Sequence, residues 1–331
     1  MVDRRFVLGG DEREKFRVFM RMQENFTGCR VLAYCLMSNH FHILLEVPPM
    51  PEDELADDVF FGRLRAIYSE AFVAEVAREM REAREAGRED LVAEIRGRYT
   101  YRMNDLSEFM KTLLQRFTRW FNRTHERRGT LWEERFKSVI VESGFAARTI
   151  AAYIDLNPVR AGMVTDPAAY RWSSYGEAVG GGSKGWGKKA REGLVRACLS
   201  DRGAGFEPGK WSEVSRIHRR LMGIALGRRR GLAEVDKQVS RSGLNAAESL
   251  AENDNGTVLS DLGMPAMLRC RVRYFTDGAV IGSRDFVNEA FAGARERFPA
   301  RRRDGARRMR GTGAAAAGVL WSMRDLRTDI G

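Results

Sequence analysis

Histidine is scarce in this chain: there are four in 331 residues, and two of them, His40 and His42, are one residue apart. They lie in Ala33-Tyr34-Cys35-Leu36-Met37-Ser38-Asn39-His40-Phe41-His42-Ile43-Leu44-Leu45-Glu46. The apolar runs Val31 to Leu36 and Phe41 to Val47 predict two short strands joined by a tight Met37-Ser38-Asn39 turn. Alternate side chains of a strand share a face, so His40 and His42 are expected to point the same way, about 6–7 Å apart along the strand. Two imidazoles at that distance can hold a single metal ion. Phe41 and Ile43 point the other way and are expected to anchor the strand in the core. Glu46 shares the histidine face and is a weaker ligand candidate. The plain alternative is a strand with two exposed or satisfied histidines.

A second element lies far along the chain, in Ala146-Ala147-Arg148-Thr149-Ile150-Ala151-Ala152-Tyr153-Ile154-Asp155-Leu156-Asn157-Pro158-Val159-Arg160-Ala161. Its first part favours helix, and Pro158 with Gly162 closes it. Tyr153 and Asn157 stand at i and i+4, so both project from one side of that helix. A tyrosine at helical spacing is ordinarily a core or rim residue. Taken with His-x-His, the pair supplies a nucleophile in Tyr153 and a third metal ligand in Asn157.

Three segments together, Ala33–Glu46, Gly129–Lys137 (Gly-Thr-Leu-Trp-Glu-Glu-Arg-Phe-Lys) and Tyr153–Gly162 (Tyr-Ile-Asp-Leu-Asn-Pro-Val-Arg-Ala-Gly), resemble the REP-associated tyrosine transposases. These belong to the one-tyrosine HUH superfamily of single-strand DNA transposases, where U is a hydrophobic residue. The resemblance covers residues 3–180 and aligns His40 and His42 with the two histidines, Phe41 with the hydrophobic position and Tyr153 with the catalytic tyrosine. Asn157 falls where the family carries a polar metal ligand. The resemblance implies magnesium or manganese as the metal and single-stranded or hairpin DNA as the substrate, although ligand type alone also allows zinc.

The chemistry the resemblance implies agrees with the residue types. A free phenol, with a pKa of about 10, is a poor nucleophile at neutral pH. A divalent ion on His40 and His42 would bind a scissile phosphate and polarise it. Attack by Tyr153 would give a 5′-phosphotyrosine and a free 3′-OH, and a second strand's 3′-OH could reverse the step. No Walker-type loop or dinucleotide glycine fingerprint is present, so no nucleotide cofactor is expected.

Composition is compatible with a nucleic-acid partner. The formal charge is +11 and the isoelectric point near 9.8. Residues 201–331 hold 24 Lys and Arg against 16 Asp and Glu, a balance of +8. The clusters Arg228-Arg229-Arg230, Arg301-Arg302-Arg303 and Arg307-Arg308 would neutralise phosphates; a solvated basic surface is the alternative. Lys111, Arg116, Arg119 and Arg123 fall outside the apolar stripe of their helix and, with Arg135 and Lys137, are candidates to meet a DNA backbone. Cys29, Cys35, Cys198 and Cys270 are widely spaced, which points to reduced thiols in a cytoplasmic protein. No signal-peptide pattern and no apolar stretch near 18 residues appears, so a membrane partner is not expected.

The elements that must position these residues follow from periodicity. Asp11 to Phe26 and Asp105 to Thr124 read as amphipathic core helices, residues 50–104 as a charged helical insertion with a solvated hairpin as the default, and Lys137 to Val141 as a further strand. Helices alternating with strands in this order predict an α/β (α+β) ferredoxin-like sandwich, one antiparallel sheet covered by helices on one face, as the resemblance also implies. The expected organisation is a catalytic domain over 1–180, a flexible linker over 181–190 and a basic, mainly helical extension over 191–331. Trp172 is expected in the core. Relative to the family, the chain starts at Met1-Val2-Asp3-Arg4-Arg5-Phe6, after a strand the family carries, so one sheet edge is expected to lack its neighbour. Besides the active transposase, two other readings fit these residues: a domesticated DNA-binding regulator and a zinc-stabilised nucleic-acid-binding module. The oligomeric expectation is monomer or homodimer.

Overall fold

The computed structural model describes residues 7–133, 135–182, 184–198, 210–227, 278–309 and 319–324. The chain is mixed α/β and divides into two compact units, residues 1–136 with 168–193, and residues 137–167 with 194–331. Residues 1–6 and Arg228, Arg229, Arg230, Cys270 and the run Ala314–Gly318 lie outside the described residues.

In the first unit, helix α1 (Gly10–Thr27) ends at Gly28, whose φ of 77° is left-handed and whose N–H donates to Glu24 O. Glycine adopts that conformation without a Cβ penalty. Strands β1 (Arg30–Leu36) and β2 (Phe41–Glu46) follow as the expected antiparallel hairpin. Beyond a helical insertion, helix α5 (Leu106–Thr124) starts at Asp105, whose carboxylate accepts from Glu108 N at 2.7 Å, a standard N-cap. Phe16 and Met20 of α1 meet Phe109, Leu113 and Phe117 of α5, and both helices pack on the hairpin face that carries Tyr34, Leu36, Phe41 and Ile43. The Phe16 ring lies 4.9 Å from Phe41 and 5.1 Å from Phe117. Because Cys35 pairs with His42 in register, those two residues occupy the opposite face.

The second edge of β1 does not go without partners. Leu36 N donates to Trp172 O at 2.9 Å, and Tyr170 Oη donates to Leu36 O at 2.6 Å. Ser174 Oγ accepts from Tyr34 N at 3.1 Å and donates to Tyr34 O at 3.3 Å, while Val31 N donates to Glu24 Oε1 at 2.8 Å. Side chains and a crossing segment thus satisfy groups that a neighbouring strand would otherwise bond. The segment is held by α8 (Ser174–Gly180), whose Glu177 reaches the buried Arg21 at 2.6 Å. Trp172 packs on the core, as expected, with the Arg13 guanidinium 4.0 Å from its ring centroid.

The insertion is more than a solvated hairpin. Helices α2 (Asp57–Arg65), α3 (Glu70–Glu85) and α4 (Glu89–Thr100) enclose their own core of Phe60, Leu64, Val73, Val76, Met80, Val92 and Ile95, closed by Phe26 and Met103. The stretch expected as a linker is helical from Gly185: α9 (Gly185–Cys198) buries Ala190, Leu194 and Ala197 at helical spacing.

In the second unit the expected strand shortens to β3 (Ile140–Val141), followed by α6 (Phe145–Asp155), α7 (Asn157–Arg160) and α10 (Trp211–Gly227). The described part of the extension carries short strands beside its helices. Strands β4 (Gly278–Gly282), β5 (Arg307–Arg308) and β6 (Trp321–Arg324) form a mixed sheet in the order β3-β4-β6-β5, with β3 and β4 parallel. Helix α11 (Arg284–Gly293) packs on it through Val287 and Phe291. Val280 and Ile281, buried between Gly278 and Gly282, suit a short strand. The strands expected as one antiparallel sheet are therefore divided, β1 and β2 in one unit and β3 in the other. No described helix is long and apolar enough to cross a membrane.

Candidate functional site

His40 and His42 are brought together. Their ring centroids lie 5.0 Å apart with the ring planes at 84°. His40 stands just before β2 and His42 within it, and the turn between the strands closes with Met37 N donating to His40 O at 2.9 Å. Asn39 Oδ1 sits 2.7 Å from His40 Nδ1. A proton held on Nδ1 by that contact leaves the Nε2 lone pair to a ligand, the usual way a neighbour orients a metal-binding imidazole. His40 is exposed, and partial desolvation by its surroundings disfavours the charged ring and lowers its pKa from the ordinary value, the direction that favours the neutral imidazole metals require. Phe41 anchors the pair from behind, its ring 5.6 Å from Trp132.

The other acceptors expected near this pair have structural partners. Glu46 faces Arg30 across the hairpin, with Arg30 Nη1 3.3 Å from Glu46 Oε2. Among the described residues no group of three or more His, Cys, Asp and Glu side chains gathers as a metal cluster. Two imidazoles fit a divalent ion that draws its remaining ligands from an amide, phosphate or water.

Tyr153 and Asn157 belong to the second unit and are also close to each other. Tyr153 lies in a helix that is buried almost throughout, and the residue itself is 1% exposed. Its ring is covered on one face by the Arg160 guanidinium, 4.5 Å from the centroid, a cation–π contact. Asn157 Nδ2 donates to Tyr153 O and Ile154 O, each at 3.2 Å. The amide nitrogen thus closes the end of α6, so only Oδ1 could serve as a ligand. With Tyr153 this buried, a phosphate can reach the phenol only after some covering segment moves.

The expected DNA-facing cations separate into two groups. Arg119, Arg123, Arg135 and Lys137 are exposed. Lys111 is exposed but paired with Glu108 at 2.9 Å. Arg116 is half-buried, lies 5.5 Å from the Phe19 ring and donates to Ile67 O at 3.4 Å, with burial lowering its pKa. Arg302 bonds the carbonyls of Asp304 and Gly305 and stacks 4.5 Å from Phe298, which makes it a structural residue, whereas Arg301, Arg303, Arg307 and Arg308 are exposed.

Sequence reasoning missed Arg160 and His218. Arg160 was visible as the last charged residue of Asn157-Pro158-Val159-Arg160, seven positions after Tyr153. His218 was visible as one of only four histidines, set in an amphipathic helix. The remaining histidine, His125, pairs with Glu12 at 3.0 Å. No family model, curated protein or solved structure matches the chain.

Proposed function

We propose that this chain is a single-strand DNA transposase or endonuclease that cleaves and rejoins hairpin-containing DNA through Tyr153, on a ferredoxin-like HUH scaffold. The observation that carries the reading is the face-sharing pair His40 and His42, 5.0 Å apart on an anchored hairpin, together with the tyrosine motif. When bound by the two imidazoles, a magnesium or manganese ion would neutralise phosphate charge and polarise phosphorus. Tyr153 then contributes the nucleophile: its oxygen bonds to phosphorus, the bond to the 3′ oxygen breaks, and the phenolic proton ends on the released 3′-OH. The product is a 5′-phosphotyrosine, whose phosphodiester energy lets a second strand's 3′-OH reverse the reaction. Arg160 would clamp the ring and add positive charge near the phosphate. The exposed arginines of α5 and the C-terminal region would track the backbone.

A second reading, a DNA-binding regulator derived from such an enzyme, is favoured by one observation: Asn157 already has a structural task at the end of α6. Single-stranded hairpins taken from the gene's flanks, incubated with magnesium, manganese or excess chelator, separate the two. The transposase reading expects metal-dependent nicking that His40→Ala and His42→Ala abolish. Tight hairpin binding with no product in any metal would replace it with the regulator.

A further inference from the structure

Helix α6 carries, two residues beyond Tyr153, a carboxylate with no exposure at all. Asp155 Oδ2 lies 2.9 Å from His218 Nε2, and both side chains are 0% exposed. The other ring nitrogen, Nδ1, is 3.9 Å from the buried Cys198 Sγ. Both nitrogens of His218 are therefore engaged, and the ring has one orientation. These three residues come from the end of α6, the middle of α10 and the end of α9.

Position makes this contact more than packing. Asp155 is the last residue of α6, where the helix dipole presents negative charge and a second negative charge is unfavourable. Leaving a carboxylate there, out of water and unpaired, is strongly destabilising. An imidazolium neutralises both. Burial alone would discharge the ring, but the bonds to Asp155 and Cys198 override it and hold the His218 pKa up at about 10. Residues two apart on a helix face different sides, so the tie grips α6 away from the Tyr153 side. Arg160 and Asn157 hold Tyr153 from its own C-terminal side.

We propose that His218 is a positioning residue for Tyr153: through Asp155 it fixes the rotation and the end of α6, and so makes α10 a working part of the nucleophile's scaffold. This rests on Tyr153 being the nucleophile, but the tie itself can be read without that chemistry. It also means that the chain beyond residue 194 does more than add affinity for DNA.

The test uses the full chain with His218→Gln, His218→Leu and Asp155→Asn. Glutamine keeps one donor for Asp155; leucine fills volume but strands the carboxylate. Amide exchange across α6 and, as an internal reference, α5 is measured in each. The expected result is a loss of protection in α6 of tenfold or more in His218→Leu, with α5 unchanged and most protection regained in His218→Gln. Where the wild type forms covalent adducts with hairpin DNA, their formation should slow by a similar factor in His218→Leu at unchanged hairpin affinity. Equal loss in α5 and α6, or full protection in His218→Leu, would overturn the proposal. A wild type that forms no adduct would remove the nucleophile reading, while the exchange pattern would still decide the tie.

Discussion

Replacing Ser174 by alanine removes both hydrogen bonds that the hydroxyl makes to the Tyr34 backbone, at 3.1 and 3.3 Å. Ser174 is 1% exposed and Tyr34 0%, so water does not replace them without local opening. A buried polar group left without a partner costs about 1–3 kcal/mol. The amide N–H bears the full penalty and the carbonyl, with a second lone pair, bears less, which gives about 2–4 kcal/mol. For a unit of this size each kcal/mol lowers the melting midpoint by about 2–4 °C, so Ser174→Ala should melt roughly 4–16 °C lower. Thermal melting followed by circular dichroism measures the shift, and amide exchange reports whether Tyr34 N–H becomes unprotected. Ser173→Ala is the control: it removes the cap on Gly176 N, 3.2 Å away, costs about 1 kcal/mol, and leaves Tyr34 protected. A Ser174→Ala midpoint within about 2 °C of wild type, with Tyr34 still protected, would refute the account of how the β1 edge is satisfied.

Three further outcomes are expected. His40→Ala and His42→Ala should each abolish metal-stimulated cleavage while leaving the hairpin's melting curve nearly intact, since His40 is exposed and His42 only half-buried; full cleavage in excess chelator would contradict the metal assignment. Replacing the exposed Arg301, Arg303, Arg307 and Arg308 by glutamine should flatten the salt dependence of DNA binding by up to about three units of log–log slope, and an unchanged slope would assign them another partner. The His218 pKa is raised from 6.5 to about 10 by Asp155 and Cys198 against the opposing effect of burial, so the stability it contributes is complete below pH 6.5 and is lost as pH rises through about 10; the gap in melting temperature between wild type and His218→Gln should narrow across that window.

What could be read from the sequence was what periodicity and rare residues encode. The β1–β2 hairpin followed from two apolar runs and a three-residue turn. Helices α1 and α5 followed from apolar spacing. In the second unit Lys137 to Val141 was read as a strand, but β4, β5 and β6 were not legible, because segments of two to five residues hold too few positions for alternation to show. The partners of the β1 edge were hidden for a different reason: Tyr170 and Ser174 follow β1 by well over a hundred residues and act through hydroxyls, which leave no hydrophobic pattern. The insertion was taken for a hairpin because its charged faces dominate, although Val73, Val76, Met80 and Ala83 carry the spacing of a buried stripe. Of the site, His40, His42, Tyr153 and Asn157 stood out by residue type. Asp155 and His218 did not, since a buried ion pair between distant helices has no local signature.

The central claim concerns one oxygen atom. Wild-type protein and Tyr153→Phe, incubated with labelled single-stranded hairpin DNA and manganese and run on a denaturing gel, test it directly. The account predicts a covalent protein–DNA band in the wild type and none in Tyr153→Phe, with hairpin affinity within a few fold because the change removes a single oxygen from the side chain. An adduct that persists in Tyr153→Phe would contradict it, and so would nicked product from a wild type that never becomes linked to DNA.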